Sequence, residues 1–460
     1  MNKPDFTNYQ SPFTWRYGSE EMRRVFSETY KYRLWRRIWV ELARAQHDAG
    51  LVNTEELKDL EKHTDDLDIA RILEIEEETK HDVVAAIREF AEKAKIGGGK
   101  IHLGATSMDI TDNADTIRVK EALHLIEVRL KRILHLFKEK ITEYSDHVCM
   151  GYTHLQPAEP TTVGYRLAFY AQDLVQDFEY LQFIKKHLVT KGFRGAVGTA
   201  AGYAAPMKKF GLSPALITSQ VQSRKQDFLV LVLLESICSS LAKFAGDLRI
   251  LQSANFGEWS EPFGKSQVGS SAMPFKKNPI SSEKICSLAR YVNRLSSVLL
   301  ENATLSYLER TLDDSANRRI VIPGGFLATD EILITSEKIL DGLVINKERI
   351  SANLKQYAPF AAMEAILLES VKNGANRQKM HETLKHISMQ AWQEIQKGNP
   401  NPLPDLFLQD TLQGRTLQGY ISKEKLHTLL DVTKHVGNAP QRARKLVKEI
   451  NKIIREKANV

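Results

Sequence analysis

The stretch "DFLVLVLLESICSSLAKFAGDLRIL", residues 227–251, carries apolar side chains round much of a helix circumference, with no proline and a single glycine, Gly246. A helix that is apolar on nearly all sides is a buried helix. Two more stretches share its length. Residues 112–147 and 161–190 keep helical spacing, with Gly164 their single glycine and no proline. Thirty helical residues extend about 45 Å. That exceeds a small domain's diameter, so the three predict helices packed lengthwise in a bundle. Strand-like alternation is hard to find. The expected fold class is all-α, and the greasiest helix is expected to be buried between subunits.

The rest of the chain sets bounds. Its 460 residues are too many for one compact core. Hydrophobic content of 42% and charged content of 26% are ordinary for a soluble protein. The apolar run Phe228 to Leu234 stops at Glu235, short of the roughly 20 residues that span a bilayer. The first residues, "MNKPDFTNYQSPFTW", carry no apolar segment of the signal-peptide type. Cys149, Cys238 and Cys286 are far apart, with neither disulfide nor zinc-site spacing. A cytoplasmic protein with no membrane partner is expected.

The net charge of +7 favours anionic partners without choosing among them. Part of it lies in residues 441–459, "QRARKLVKEINKIIREKAN", with seven Lys/Arg against two Glu. Leu446, Val447, Ile450, Ile453 and Ile454 recur there at helical spacing, and Pro440 suits a helix start. This reads as a surface amphipathic helix. No aromatic side chains interleave with the charges to stack on bases, so no nucleic-acid partner is expected.

Several motifs fail. "GGGK" at 97–100 is followed by Ile101, where a phosphate-binding P-loop needs Ser or Thr. "GAVGTAAG" is not GxGxxG and follows no strand. No HExxH and no His/Cys cluster stands at metal spacing. No metal or cofactor is expected.

The polar, reactive residues cluster in four breaks between helical stretches: 95–109, 149–164, 192–211 and 260–279. Loops fixed by a rigid scaffold often carry catalysis. In "VGSSAMPFKKNP" (268–279), Ser270 and Ser271 follow Gly269 and precede Lys276, Lys277 and Asn278. A serine is a poor base unless its alkoxide is stabilised, and neighbouring cations and backbone N–H groups can do that. The same cations could hold a carboxylate beside a carbon losing its proton. A solvated basic turn has the same composition. In "YTHLQPAEPTT", His154 is of a type to donate a proton near neutral pH; a surface or capping histidine is the plainer reading. His81 in "EEETKHDVVAAI" sits at the edge of an amphipathic helix. "LERTLDDSANRR" (308–319) combines Arg310, Arg318 and Arg319 with Ser315, either an anion site or a structural ion-pair cluster.

Taken together, these stretches resemble a family. "GSSAMPFKKNP" resembles the GSSxMPxKxNP signature of the fumarase/aspartase superfamily over eleven positions. "THLQPAEPTT" and "HLGATSMDITDN" resemble its other two conserved regions. Within it, "RYGSEEM", "KHDVV", "ERTLDDSANRR" and "SEKICSLAR" resemble the adenylosuccinate lyases, in the longer branch that includes animal enzymes. The likeness runs from about Trp15 and weakens after about residue 380. It departs at Phe275, where many relatives have His or Tyr, and at Lys80, where the animal-like enzymes have Arg.

The resemblance implies an all-α, three-domain lyase: 1–106 N-terminal, 107–345 central long-helix bundle with the signature loop, and 346–460 C-terminal. It implies a homotetramer with active sites shared between subunits. It implies β-elimination of fumarate from adenylosuccinate and from the related succinyl-carboxamide ribotide, without a cofactor. Ser270 would be the base and His154 the acid. Lys276 and Asn278, with Thr106 and Ser107, would hold the succinyl carboxylates. His81 would lie near the phosphate and the succinyl end, with Lys80 and Asp82 beside it, and Glu283 would orient a catalytic histidine. Arg16, Tyr17, Gln220, Arg310, Ser315 and Arg319 would bind the nucleotide. Argininosuccinate lyase shares the signature but not the phosphate-type stretches. A helical scaffold or nucleic-acid-binding protein would explain the length and basic tail, but not a Lys and an Asn six and eight places after a Gly-Ser-Ser serine.

Overall fold

The computed structural model describes residues 7–201, 210–264, 267–269, 272–409, 411–412 and 415–455. The elements used below are, in chain order, α1 (Glu28–Asp48), α2 (Ile69–Thr79), α3 (Asp82–Lys93), α4 (Ser107–Glu143), β1 (Val148–Thr153), β2 (Gln156–Thr162), α5 (Val163–His187), α6 (Lys225–Gln252), β3 (Trp259–Ser260), α7 (Ile280–Val292), α8 (Asp314–Asp341), β4 (Val344–Ile345), α9 (Lys347–Tyr357) and α10 (Ala439–Arg455). The chain is all-α in class. The three long helices expected from the sequence are α4, α5 and α6, and the basic amphipathic tail is α10.

The chain forms two compact units, neither continuous in sequence. The first comprises Met1–Leu130, Gln176–Ala242 and Lys284–Thr335. The second comprises Lys131–Val175, Lys243–Glu283 and Ser336–Val460.

The first unit has a core in which Trp35, Ile38, Trp39 and Leu42 of α1 pack with Ile72 and Ile75 of α2, Val83 and Phe90 of α3, and Ile110 and Ala114 of α4. The apolar positions of α1 recur three and four apart, which puts them on one face. A buried ion pair, Arg36–Glu89, crosses this core. Its remaining valences are filled: the guanidinium also donates to the carbonyl of Asp66 at 2.7 Å, and Glu89 accepts from the Asp68 N–H at 3.0 Å. Buried charges of this kind are tolerable only when so satisfied.

The helix α6 is long and apolar enough to cross a membrane by length and composition. Half of its most apolar window is buried inside the protein. Leu231, Leu234, Ile237, Cys238 and Leu241 supply that buried face. The Glu235 carboxylate accepts from the Ser296 N–H at 3.1 Å, and Ser240 donates to Asp177 at 2.7 Å. Its polar positions are thus engaged by neighbouring protein.

Two features differ from the sequence expectation. Most of the break read at 149–164 belongs to an antiparallel hairpin, β1–β2, that spans residues 148–162. The sequence singles out no helix over residues 314–341, where α8 lies, and "PGG" at 323–325 is locally unfavourable to one. The helix runs through Pro323. A Cβ on Gly325 would lie 2.6 Å from the Leu231 side chain and one on Gly324 2.5 Å from the Tyr291 hydroxyl. These glycines allow close helix packing, and that packing overrides the local break.

The second unit holds the hairpin, the pair β3–β4 and a C-terminal core of Ile366, Met380, Leu384, Ile387, Leu403, Phe407 and Leu426. Pro440 lies in the first turn of α10, as the sequence suggested.

Candidate active site

In the first unit, the junction between α2 and α3 places Lys80, His81 and Asp82 in succession. Lys80 ends α2 in the left-handed region at φ 55°. His81 is the N-cap of α3, and its Nδ1 accepts from the Val84 N–H at 3.4 Å. Asp82 follows in the first turn, where an anion suits the helix dipole. Its carboxylate accepts from the Arg319 guanidinium at 2.7 Å. Two residues 237 positions apart, both expected to bind substrate, are therefore paired. Gln220 and Arg310 also meet: Arg310 Nη1 lies 3.5 Å from the Gln220 side-chain oxygen, and the Gln220 N–H donates to the Glu309 carbonyl at 3.3 Å. Burial lowers the Arg310 guanidinium, opposed by Asp314 and Asp112. Ser315 lies in the first turn of α8. Arg16 and Tyr17 lie between a 3-10 turn (Pro12–Thr14) and a short helix (Glu20–Val25), with the Arg16 guanidinium 5.9 Å from the Tyr17 ring.

Thr106 and Ser107 open α4. The Thr106 N–H donates to the Asp109 carboxylate at 2.9 Å, one half of a capping box. Asp109 is fully buried. It also accepts from the Lys191 amine, and from the N–H groups of Arg194 at 3.0 Å and Gly195 at 3.2 Å. One carboxylate thus fixes the start of α4 and the break at 192–201 together. Burial pulls the Lys191 amine down although Asp109 works the other way.

Sequence reasoning passed over His102 of "HLGATS". It stands at φ 68° and its Nδ1 accepts from the Trp39 indole at 3.1 Å. Burial lowers its pKa from 6.5 to about 4; the Asp109 charge opposes this and His81 adds to it. The sign follows from proton binding: the unfolded chain takes up a proton at this position near pH 6.5 and the folded chain only near 4. Stability therefore drains away as pH falls through that window. In His102→Asn, which also tolerates the left-handed backbone, Tm is expected to fall less steeply between pH 6.5 and 4 than in the parent. An unchanged slope would remove His102 as the source.

In the second unit, His154 and Leu155 form the two-residue tip of the β1–β2 hairpin at φ 53° and 61°. Positive φ at both positions marks a type I′ turn, a conformation usually left to Asn and Gly. Both residues are exposed at this tip, and histidine adopts the left-handed region more readily than most non-glycine residues. The hairpin is anchored from below. The fully buried Glu258 carboxylate accepts from the Tyr152 hydroxyl at 2.9 Å, from Arg166 at 3.1 Å and from Asn353 at 2.9 Å. Burial, and then Glu258, push the Tyr152 hydroxyl up, so it remains a donor.

The signature loop is non-helical in its described part, residues 267–269 and 272–279. Ser270 lies outside the described residues. The ends of the loop are closely held. Asn278 Nδ2 donates to the Gly269 carbonyl at 3.1 Å, and Gln252 donates to the Lys277 carbonyl at 3.0 Å. The Glu261 carboxylate accepts from the Ser281 N–H at 3.2 Å at the start of α7. Lys277 lies over the Phe263 ring at 5.4 Å, and Phe275 is 82% exposed. Glu283, in the first turn of α7, has Arg249 at 4.0 Å. Lys276 donates its backbone N–H to the Met273 carbonyl.

Gly269 is required by close approach. A Cβ there would meet the Lys276 carbonyl oxygen at 2.0 Å. Gly269→Ala is expected to lower kcat/KM at least tenfold with Tm changed by no more than a degree or two, since a surface loop carries little of the fold's stability. Unaltered kcat/KM would show that the loop's shape does not matter.

Among the described residues, no group of His, Cys, Asp and Glu is placed to hold a metal ion.

Comparison with known proteins covers most of the chain. A family model described as lyase matches residues 17–293, and one described as adenylosuccinate lyase C-terminus matches residues 359–446. An adenylosuccinate lyase of Saccharomyces cerevisiae is 36% identical, covering 97% of this chain and 96% of its own. One of Schistosoma mansoni is 38% identical over 88% of each chain. One of Archaeoglobus fulgidus is 34% identical over 96% of this chain and 99% of its own. The solved 3-carboxy-cis,cis-muconate lactonizing enzyme of Pseudomonas putida superposes with a TM-score of 0.83 at 23% identity, over 96% of this chain and 99% of that one. A fumarate lyase of Mesorhizobium gives 0.81 at 21%, again over 96% and 99%. These two likenesses show the fold.

Proposed function

We propose that this chain, which belongs to the adenylosuccinate lyase family, eliminates fumarate from adenylosuccinate to give AMP, and from the succinyl-carboxamide ribotide to give its carboxamide. A base takes the proton beside a succinyl carboxylate. The electron pair of that C–H bond forms the double bond of fumarate, the C–N bond breaks, and the departing nitrogen receives a proton. Ser270 is the base and His154 the acid. Lys276 and Asn278, with Thr106 and Ser107, take the two carboxylates. Charge building on the one nearest the reacting carbon is then met by a fixed cation. Glu283 orients a catalytic histidine. Arg16, Tyr17, Lys80, His81, Asp82, Gln220, Arg310, Ser315 and Arg319 form the nucleotide side.

The observation that carries the nucleotide reading is the pairing of Arg319 with Asp82 beside His81. An exposed ion pair adds only about 0–1 kcal/mol to stability, so the fold does not depend on it. A guanidinium that exchanges Asp82 for a phosphate gains a stronger, bidentate partner. Asn278 likewise exchanges the Gly269 carbonyl for a carboxylate. The signature loop closes over substrate as it does so.

Arg319→Ala is expected to raise KM for adenylosuccinate roughly ten- to hundredfold, the value of one charge-assisted hydrogen bond, with a smaller effect on kcat. The dephosphorylated substrate should show no such difference between parent and variant. A KM unmoved by Arg319→Ala would overturn the phosphate assignment.

The active unit is a homotetramer with sites shared between subunits. Exposed apolar side chains on the long helices support this, among them Val128, Phe169, Phe183 and Ile320. Sedimentation as a single chain at assay concentration would contradict it. The enzyme works in a reducing, cytoplasmic setting, which its three free cysteines support.

A further inference from the structure

The first unit contains a buried ionic network that the mechanism leaves unused. Arg224 is 4% exposed and bridges two carboxylates. Its Nε donates to Asp314 at 2.5 Å and its Nη1 to Asp112 at 3.0 Å. Asp112 is 1% exposed, and its other oxygen accepts from the Gln222 N–H at 2.8 Å. Arg318 lies alongside, donating to Asp227 at 2.8 Å, with Asp115 and Asp112 at 3.5 and 3.8 Å. The enclosed cavity is about 10 Å³, lined in part by Asp112, Gln222, Arg224 and Arg318. That is room for about one water molecule, so the network is no binding site for a nucleotide.

Its placement suggests its role. Asp112 lies on α4. Gln222 lies two residues after Gln220. Asp314 begins α8, between Arg310 and Ser315. We infer that Arg224 is a positioning residue for phosphate recognition: by holding Asp112, Asp314 and, through Asp112, the Gln222 backbone, it fixes the segments that carry Gln220, Arg310, Ser315 and Arg319. This deepens the reading of those residues as the nucleotide side and rests on it. Arg224 has two carboxylates on separate segments, and its remaining nitrogen, Nη2, has no hydrogen-bond partner among the described residues. A planar guanidinium can hold two carboxylates in fixed directions, and a lysine, a point charge on a flexible stem, cannot. At the carboxylate end, Thr106 is bonded to Asp109, and no contact of Arg224 with Thr106, Ser107, Lys276 or Asn278 is present among the described residues.

The test separates the two ends of the ligand. In the full-length protein, the dissociation constant of AMP and the inhibition constant of fumarate are measured for the parent, Arg224→Lys, Asp314→Asn and Arg319→Ala. Asp314→Asn keeps the Asp112–Arg224 bond and so covers the case in which Arg224→Lys does not fold. Arg224→Lys and Asp314→Asn are expected to weaken AMP at least tenfold while the fumarate constant stays within twofold. Equal loss of both ligands would make Arg224 a general structural residue. Undiminished AMP binding in both variants, with Arg319→Ala still losing it, would overturn the positioning role and leave the nucleotide reading standing. A parent protein that does not bind AMP would overturn the nucleotide reading, and the inference with it.

Discussion

Ser270→Ala lowers kcat for adenylosuccinate by about 10²- to 10⁴-fold, the span of general acid–base catalysis, and leaves substrate binding within a few-fold. The expectation separates the hydroxyl from the loop that carries it. The described ends of the loop are held by other groups: the approach of Gly269 to Lys276, the bond from Asn278 to the Gly269 carbonyl, and the clamp of Gln252 on Lys277. None of these needs the Ser270 side chain. The residues assigned to bind phosphate and carboxylates are also untouched, so the lost interaction is one made on the way to the transition state. Kinetically, kcat and kcat/KM should then fall together. Near-normal kcat in this variant would mean that another group removes the proton.

His154→Asn is expected to lower kcat by a similar factor, about 10²- to 10⁴-fold, while Tm stays close to the parent's. Asparagine is the sharper replacement here. The tip of the hairpin holds residue 154 at φ 53°, and asparagine accepts that backbone more readily than alanine does. The hairpin therefore keeps its turn and its anchor from Tyr152 to Glu258, and the variant loses only a side chain able to release a proton. A combined Ser270→Ala, His154→Asn protein should be little slower than either single variant, because groups that act on one step are not additive. If His154→Asn turned over normally, the departing nitrogen would be protonated by something else.

Much of this was legible in the sequence, for reasons that can be named. The helices α4, α5 and α6 are long, free of proline and apolar at helical spacing, so their local preference agrees with their packing. The signature loop was legible as irregular because Pro274 and Pro279 bar a regular helix, and the structure leaves it so. The hairpin was hidden because Pro157 and Pro160 suppress any strand pattern, yet the pairing of β1 with β2 accommodates both. The helix α8 was not among the long helices read from the sequence; its Pro-Gly-Gly is unfavourable locally, and tight packing on Leu231 and Tyr291 accompanies its continuation.

The site divides similarly. Its residue types were visible, since Gly-Ser-Ser, Lys, Asn, His and clustered Arg stand out by chemistry. Their partners were not. Asp82 with Arg319, Arg224 with Asp112 and Asp314, and Tyr152 with Glu258 join positions about 90 to 240 apart in sequence. No local pattern encodes such a pairing, because each carboxylate is set by the three-dimensional neighbour it must neutralise. Glu258, Asp109 and Asp112 stood among ordinary helix-break and helix residues, and only their burial marks them.

The most direct measurement of the central claim is fumarate release by the purified protein from adenylosuccinate, with argininosuccinate as the control. Stoichiometric formation of fumarate and AMP, with no release from argininosuccinate, is the predicted result. Release from argininosuccinate and none from adenylosuccinate or the succinyl-carboxamide ribotide would contradict it.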